Sequence, residues 1–424
     1  MRCEPNHEAW SPQVNSGVPP KHTLKPKLVI LAATWLAIFA VACGGGSSST
    51  NPPPPTALEW FFVESFSGQV EGFSAPSGHL EPIPGSSVSF VPASPSPPLT
   101  LLTAFAVAPT GMFLAVTAST AQGPATLEIA NIASGGAISV TPLTAPVANA
   151  YRMAIASQGV IAISDGFSTI QFFTLQNDAL LAGPAVQTSV SPQDLAFRPD
   201  GNVLYALNAG GAIAVFSVAP DLSLQLIQDA PLPLVPGQLG GNAVRIRLNA
   251  AGNKIAATTL DGWVYVGDVN GTDGTVSGIT EAQAAPNANL QEVVLDPTGQ
   301  NVYTDDQDNG GIYEFSTAGG ALTALPGSPV ATPLGSMGME TDSTGTRLYL
   351  GTPGFPSSQI VTFSRDLSSG KLRPLQSHAH GLEHCVIRTV GILANAYYAT
   401  SLPTGAVFQS LCPLQKSDIS RSST

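Results

Sequence analysis

Apolar and polar residues alternate in short runs along most of the chain, and each run stops at a cluster of turn formers. Six turns end in glycine: Ala108-Pro109-Thr110-Gly111, Ala156-Ser157-Gln158-Gly159, Arg198-Pro199-Asp200-Gly201, Asn249-Ala250-Ala251-Gly252, Asp296-Pro297-Thr298-Gly299 and Asp342-Ser343-Thr344-Gly345. Their glycines are spaced 48, 42, 51, 47 and 46 residues apart. Six residues before each glycine stand Phe105, Met153, Leu195, Ile246, Val293 and Met339; four before stand Val107, Ile155, Phe197, Leu248, Leu295 and the polar Thr341. A period of two places these on one face of a strand, packed against a neighbour.

Behind each turn come further strands. Leu204-Tyr205-Ala206-Leu207 and Leu348-Tyr349-Leu350 represent the second, Ala212 to Ser217 and Gln359 to Ser364 the third. Gly320 to Leu325 and Gly370 to Leu375 follow Gly-containing hairpins as the fourth. Four strands in a period of roughly 40–50 residues, with no helical periodicity, predict one propeller blade per period. The first unit has only three strands, beginning at Trp60, Gln69 and His79. His384 to Arg388 precedes Gly391, 46 residues after Gly345, and is expected to supply the missing innermost strand and close the ring. The expectation is an all-β, seven-bladed β-propeller of four-stranded blades over residues 56–393. Eight blades are the alternative if Ile392 to Leu411 adds strands, and residues 394–424 read as a divergent tail.

The N-terminal segment has a different pattern. Leu28 to Ala42 is an unbroken apolar run of 15 residues, preceded by Lys21, Lys25 and Lys27. It is short for a membrane span, which needs about 20 residues, and has the flanks of an export signal. It ends at Ala40-Val41-Ala42-Cys43 before a Gly/Ser tract. Residues 1–42 therefore resemble a bacterial lipoprotein signal, which makes Cys43 the lipidated first residue of the mature chain. Residues 43–55, Gly/Ser-rich and then Pro-rich, read as a tether. The resemblance implies a bacterial cell-envelope location, anchored to the membrane by lipid at the periplasmic face or cell surface.

The repeat itself, P-x-G, then x-[LV]-Y, then a strand ending in Phe-Ser, then G-x-L and Gly327-Ser328-Pro329, resembles the lactonase-like seven-bladed propellers. Propeller-type 6-phosphogluconolactonases and YVTN-repeat surface proteins form that group. The clearest matches are Arg198 to Tyr205 and Gly327 to Val330, and the resemblance covers roughly residues 58–391. Members share a Pro-Arg-His run on innermost strands, with His seven residues before the turn glycine. Those positions here hold Ala104, Arg152, Asp194, Arg245, Glu292, Gly338 and, through Gly391, His384.

Composition sharpens this register. Only 10% of residues are charged, against roughly 25% in typical soluble chains. Arg152, Asp194, Arg245 and Glu292 nevertheless occupy one register in four successive units, where they would converge at a channel mouth. Arg247 and Glu340, two residues further along, would form a second tier. Such a set can grip a small anionic or carbonyl ligand, or neutralise itself as ion pairs. Net charge is −12, and −14 once residues 1–42 are removed, so nucleic acid is not an expected partner.

Other constellations are weaker. His378, His380 and His384 lack an evident fourth ligand, so no metal is expected and no cofactor is implied. Asp305 to Gly311 and Asp268 to Gly274 fail the calcium-loop pattern and read as turns. Cys385 and Cys412 could form a disulfide in an exported protein. The expected function is a lipid-anchored extracytoplasmic module that binds a small anionic ligand or a protein partner. The alternatives are a lactonase-type hydrolase that uses the charged residues at the mouth, and a surface-layer or adhesion module.

Overall fold

The computed structural model describes residues 59–65, 69–75, 80–90, 100–120, 125–189, 191–233, 243–335, 338–352, 357–383, 388–394 and 408–410. They form seven sheets, antiparallel but for one three-residue strand. Six are four-stranded blades built from consecutive strands, spanning residues 100–147, 152–187, 192–231, 243–283, 293–324 and 339–383, numbered here blades 2 to 7. Their innermost strands are Thr100–Val107, Arg152–Ile155, Pro192–Phe197, Ala243–Leu248, Val293–Leu295 and Met339–Thr341. The only helical element among the described residues is a single 3-10 turn, Ala318–Gly320.

Blade 1 joins the two ends of the ring. Arg388–Ala394 is its innermost strand and pairs antiparallel with Glu59–Ser65, with Trp60 opposite Leu393 and Phe62 opposite Gly391. Gln69–Ser74 and the short strands Glu81–Pro82 and Val88–Ser89 complete it. The C-terminal segment thus closes the ring as expected, but in a different register. The closing strand starts at Arg388 rather than near His384, and Gly391 lies inside it rather than in a turn. A three-residue strand, Phe408–Ser410, runs parallel to Glu59–Ser65, so among the described residues the tail adds a strand to blade 1 and no eighth blade. The seven innermost strands touch one another in sequence around the ring.

The predicted turn register holds in three dimensions. All six turn glycines have φ between 65° and 82°, and each donates its N–H to the residue three before it at 2.8–3.0 Å. Gly252 shows why no other residue serves: a Cβ there would lie 2.5 Å from Cδ of Pro199 in the preceding blade's turn. The residues six and four before each glycine are all buried, Thr341 included. They pack with aromatic side chains of the middle strands into clusters between successive blades. A fully buried side chain of this size stabilises the fold by roughly 1.5–3 kcal/mol.

The tyrosine of the second strand ties neighbouring blades together. Tyr205 Oη donates to the carbonyl of Gly274 at 2.9 Å, and Tyr303 Oη to that of Gly370 at 2.5 Å. Tyr303 also accepts from Arg365 Nε at 2.7 Å, while Arg365 Nη2 bonds Asp296 at 3.0 Å and Asn301 at 2.7 Å. Burial pushes the pKa of both phenols up, so they remain donors throughout the accessible pH range.

Candidate functional site

The position seven residues before the turn glycine lies on the innermost strand or immediately before it. Alternation turns that residue, and the one two further on, to the strand face opposite Phe105, Met153, Leu195 and their equivalents, and the alanines there pack between blades. In blades 2 to 4 the second of these is alanine: Ala106, Ala154 and Ala196. In blade 5 it is Arg247. The short side chains leave a cavity of about 80 Å³, lined by Ala104, Arg152, Asp194, Arg245 and Arg247 among others. A single water needs roughly 10–15 Å³, so several waters or one small polar group fit.

The charged side chains converge as the register predicts, but they are not equivalent. Glu292, 2% exposed, takes the guanidinium of Arg245 on Oε1, through Nε at 2.8 Å and through Nη2, and approaches Arg247 Nη2 at 3.6 Å. Arg245 Nε also donates to the carbonyl of Gln291 at 3.1 Å. Burial works against the Arg245 charge, but Glu292 and Asp194 outweigh it and hold its pKa above the ordinary guanidinium value. Asp194, 3% exposed, accepts on Oδ2 from the N–H of Ile246 at 3.1 Å and from Arg247 Nη1 at 3.0 Å. Glu292 is itself braced from blade 6: its N–H donates to Asp305 Oδ1 at 2.7 Å, and its carbonyl accepts from Thr304 Oγ1 at 2.7 Å.

Arg152 is the exception. Its Nε lies 4.0 Å from Asp194 Oδ1 and is buried with no hydrogen-bond partner among the described residues. Nη1 donates to the carbonyl of Tyr151 at 3.1 Å, and the guanidinium carbon lies 4.4 Å from the centre of the Tyr151 ring. Ser164, opposite Arg152 in the strand pairing, also has a buried hydroxyl with no partner among the described residues. Burial and repulsion from Arg245 hold the Arg152 pKa down to about 10, because Asp194 offsets them only in part. The guanidinium is still charged at neutral pH. Three arginines face two carboxylates here, and the surplus positive charge sits on the arginine with the fewest bonds.

The second tier differs from expectation. Arg247 reaches back to Asp194 and Glu292 and so belongs to the first tier. Glu340, 6% exposed, accepts from the N–H of Thr341 at 3.2 Å and lines, with Arg247, a separate cavity of about 10 Å³. Two contributors escape the reading of charged positions. Tyr151, which lines the larger cavity, precedes the strand and lies outside its alternation. The second contributor is the set of alanines Ala106, Ala154 and Ala196, whose recurrence at the position two past the charged register is a signal present in the sequence.

Several expected sites fall elsewhere. Cys43, His384, Cys385 and Cys412 lie outside the described residues. His378 and His380 belong to the outermost strand of blade 7, Leu372–Glu383, rather than to a connecting loop. Among the described residues no group of three or more His, Cys, Asp or Glu is placed to hold a metal ion. Asp306 Oδ1 accepts from the N–H groups of Asp308 and Asn309 at 3.2 Å, which makes the acidic hairpin a self-capped turn.

No protein-family model matches the chain, and a search of curated proteins finds no match. Solved structures do match over most of its length. A Bacteroides fragilis protein, whose crystal structure bears the name "putative 6-phosphogluconolactonase", is 18% identical with a TM-score of 0.61, covering 79% of this chain and 97% of that one. The periplasmic gluconolactonase of Pseudomonas aeruginosa is 16% identical with a TM-score of 0.61, covering 80% and 99%. A protein from Lactobacillus plantarum is 14% identical with a TM-score of 0.61, covering 83% and 99%. At these identities the likeness is one of fold.

Proposed function

We propose that the chain is a lipid-anchored, extracytoplasmic propeller that binds a small anionic ligand at the channel mouth, with Arg152 as the gripping cation. The observation that carries the reading is the contrast among the three arginines. Arg245 and Arg247 are occupied by Glu292 and Asp194, whereas Arg152 faces an 80 Å³ cavity with its Nε unbonded. A carboxylate accepts such a guanidinium edge in bidentate fashion. The anchoring part rests on Leu28 to Cys43; labelled palmitate incorporated into the chain and lost on Cys43→Ala would support it, and unchanged labelling would sink it.

The test of binding is calorimetric titration of the full chain with acetate and gluconate. Arg152→Ala should abolish the heat of binding. Retained binding in that variant overturns the assignment of Arg152.

A second reading, a lactone hydrolase, is favoured by one feature. Asp194 lines the cavity and both of its hydrogen bonds fall on Oδ2, leaving Oδ1 with only the 4.0 Å approach of Arg152. In a hydrolase, Arg152 would polarise the lactone carbonyl and Oδ1 would take a proton from the attacking water. The ring oxygen would leave as an alkoxide and regain that proton. The lactonase names of two structural neighbours fit this reading. Hydrolysis of sugar-acid lactones that is lost in Asp194→Asn would establish it over simple binding.

A further inference from the structure

Most polar groups that line the Arg152 cavity are already engaged. Arg245 is held by Glu292, and Arg247 by Oδ2 of Asp194. The hydroxyl of Thr103, another lining residue, shares a hydrogen bond of 2.9 Å with that of Thr117. Two lining groups keep capacity for a ligand. One is the guanidinium of Arg152. The other is Oδ1 of Asp194, because the N–H of Ile246 and Arg247 Nη1 both bond Oδ2. Those two bonds fix the carboxylate and leave Oδ1 with only the approach of Arg152. Ala104, Ala106, Ala154 and Ala196 line the cavity with methyl groups.

The two open groups stand close together: Arg152 Nε lies 4.0 Å from Asp194 Oδ1. That is too long for a hydrogen bond. Each hydrogen bond to a small molecule spans about 2.7–3.0 Å, so neighbouring polar atoms of one ligand can reach both groups. The same closeness sets a condition on the ligand. A bare carboxylate held by Arg152 brings its negative charge against Asp194, which is 3% exposed, and like charges out of water repel strongly. A donor beside the ligand's carboxylate relieves this. A 2-hydroxyl donates to Oδ1 and adds no charge. A 2-ammonium also donates, but it adds a positive charge to a cavity already lined by Arg152, Arg245 and Arg247. A volume of about 80 Å³, room for several waters, suits a chain of two or three carbons.

We infer that the ligand of this site is a short 2-hydroxycarboxylate, its carboxylate held by Arg152 and its hydroxyl donating to Asp194 Oδ1. The inference rests on the anion-binding reading above and adds the chemical class of the ligand. Asp194 is then the residue that selects a hydroxy acid over a plain one.

Calorimetric titration of the full chain with glycolate, acetate and glycine tests this, since the three share one skeleton and differ at one substituent. Glycolate should bind about tenfold more tightly than either acetate or glycine. Arg152→Ala should abolish binding of glycolate and acetate alike. Asp194→Asn keeps the shape and removes the charge, so acetate is no longer repelled and the preference for glycolate should shrink to within about threefold. Equal affinities for glycolate and acetate in the parent overturn the hydroxy-acid assignment and leave Arg152 as an anion site. Glycine bound as tightly as glycolate overturns it in favour of an amino acid. A glycolate preference that survives intact in Asp194→Asn overturns the role of Asp194. If Asp194→Asn does not fold, the titrations of the parent still decide the ligand class. Absence of binding by both glycolate and acetate overturns the anion-binding reading itself.

Discussion

Arg152 and Arg245 occupy the same register in different blades, yet their removal should have opposite consequences. Arg245→Ala leaves Glu292 buried with only the 3.6 Å contact to Arg247, and breaking a buried ion pair costs about 3–5 kcal/mol. Arg152→Ala removes a guanidinium whose Nε is unbonded and which Arg245 repels, so stability should change by less than about 1 kcal/mol. Urea unfolding checks this: the midpoint should fall sharply for Arg245→Ala and hardly at all for Arg152→Ala, with similar slopes. Equal shifts would mean that the two arginines are alike and that Arg152 has no special vacancy for a ligand. The charged positions were legible because they interrupt an apolar strand in a chain with few charges. Which arginine is left over was not, because Asp194 bonds Arg247 and Glu292 bonds Arg245 across gaps of 53 and 47 residues. Local spacing carries no information about that choice.

At the scale of the element, the hairpin Asp165 to Ser168 should depend on one carboxylate. Partial burial opposes the ionisation of Asp165, but hydrogen bonds from Thr169, Phe167 and Ser168 outweigh it and hold its pKa below the usual value. A carboxylate with a depressed folded-state pKa stabilises the loop at every pH above its unfolded value. That stabilisation is lost as pH falls through the lower, folded value. Asp165→Ala should therefore cost no more than about 1 kcal/mol at neutral pH, since solvent screens this largely exposed carboxylate, and nothing in strong acid. Amide exchange at Phe167, Ser168 and Thr169 measures it directly: faster exchange in the variant at neutral pH, converging with the parent as Asp165 is protonated. Exchange rates that never differ would remove the cap. The strands themselves were legible because each turn needs a glycine at positive φ, which marks every period. The closing strand was misregistered because Gly391, taken as its turn glycine, lies inside the strand. Its position is set by pairing with Glu59–Ser65 at the far end of the chain.

For the whole molecule, that pairing makes blade 1 the point on which closure depends. Phe61 packs on Tyr349 of blade 7, with ring centroids 4.2 Å apart, while Trp60 and Phe62 pack with Phe105 and Leu114 of blade 2. The strand Glu59–Ser65 therefore holds both neighbouring blades, and Arg388–Ala394 holds that strand on its inner side. Gly391→Pro places a ring with fixed φ in the middle of the closing strand, opposite Phe62, where the strand's fit is lost. It should lower Tm by several degrees, and deletion of residues 388–424 should go further. The deletion leaves an unpaired strand edge between blades 7 and 2, so the chain should lose a single cooperative transition and associate through that edge. Calorimetry and light scattering read the two effects separately. A deletion variant that stays monodisperse with an unchanged Tm would show that the ring closes by other contacts. A Gly391→Pro variant with unchanged Tm would show that the closing strand takes another register. The first result would overturn closure by the C-terminal strand, and the second would overturn only the pairing of Phe62 with Gly391.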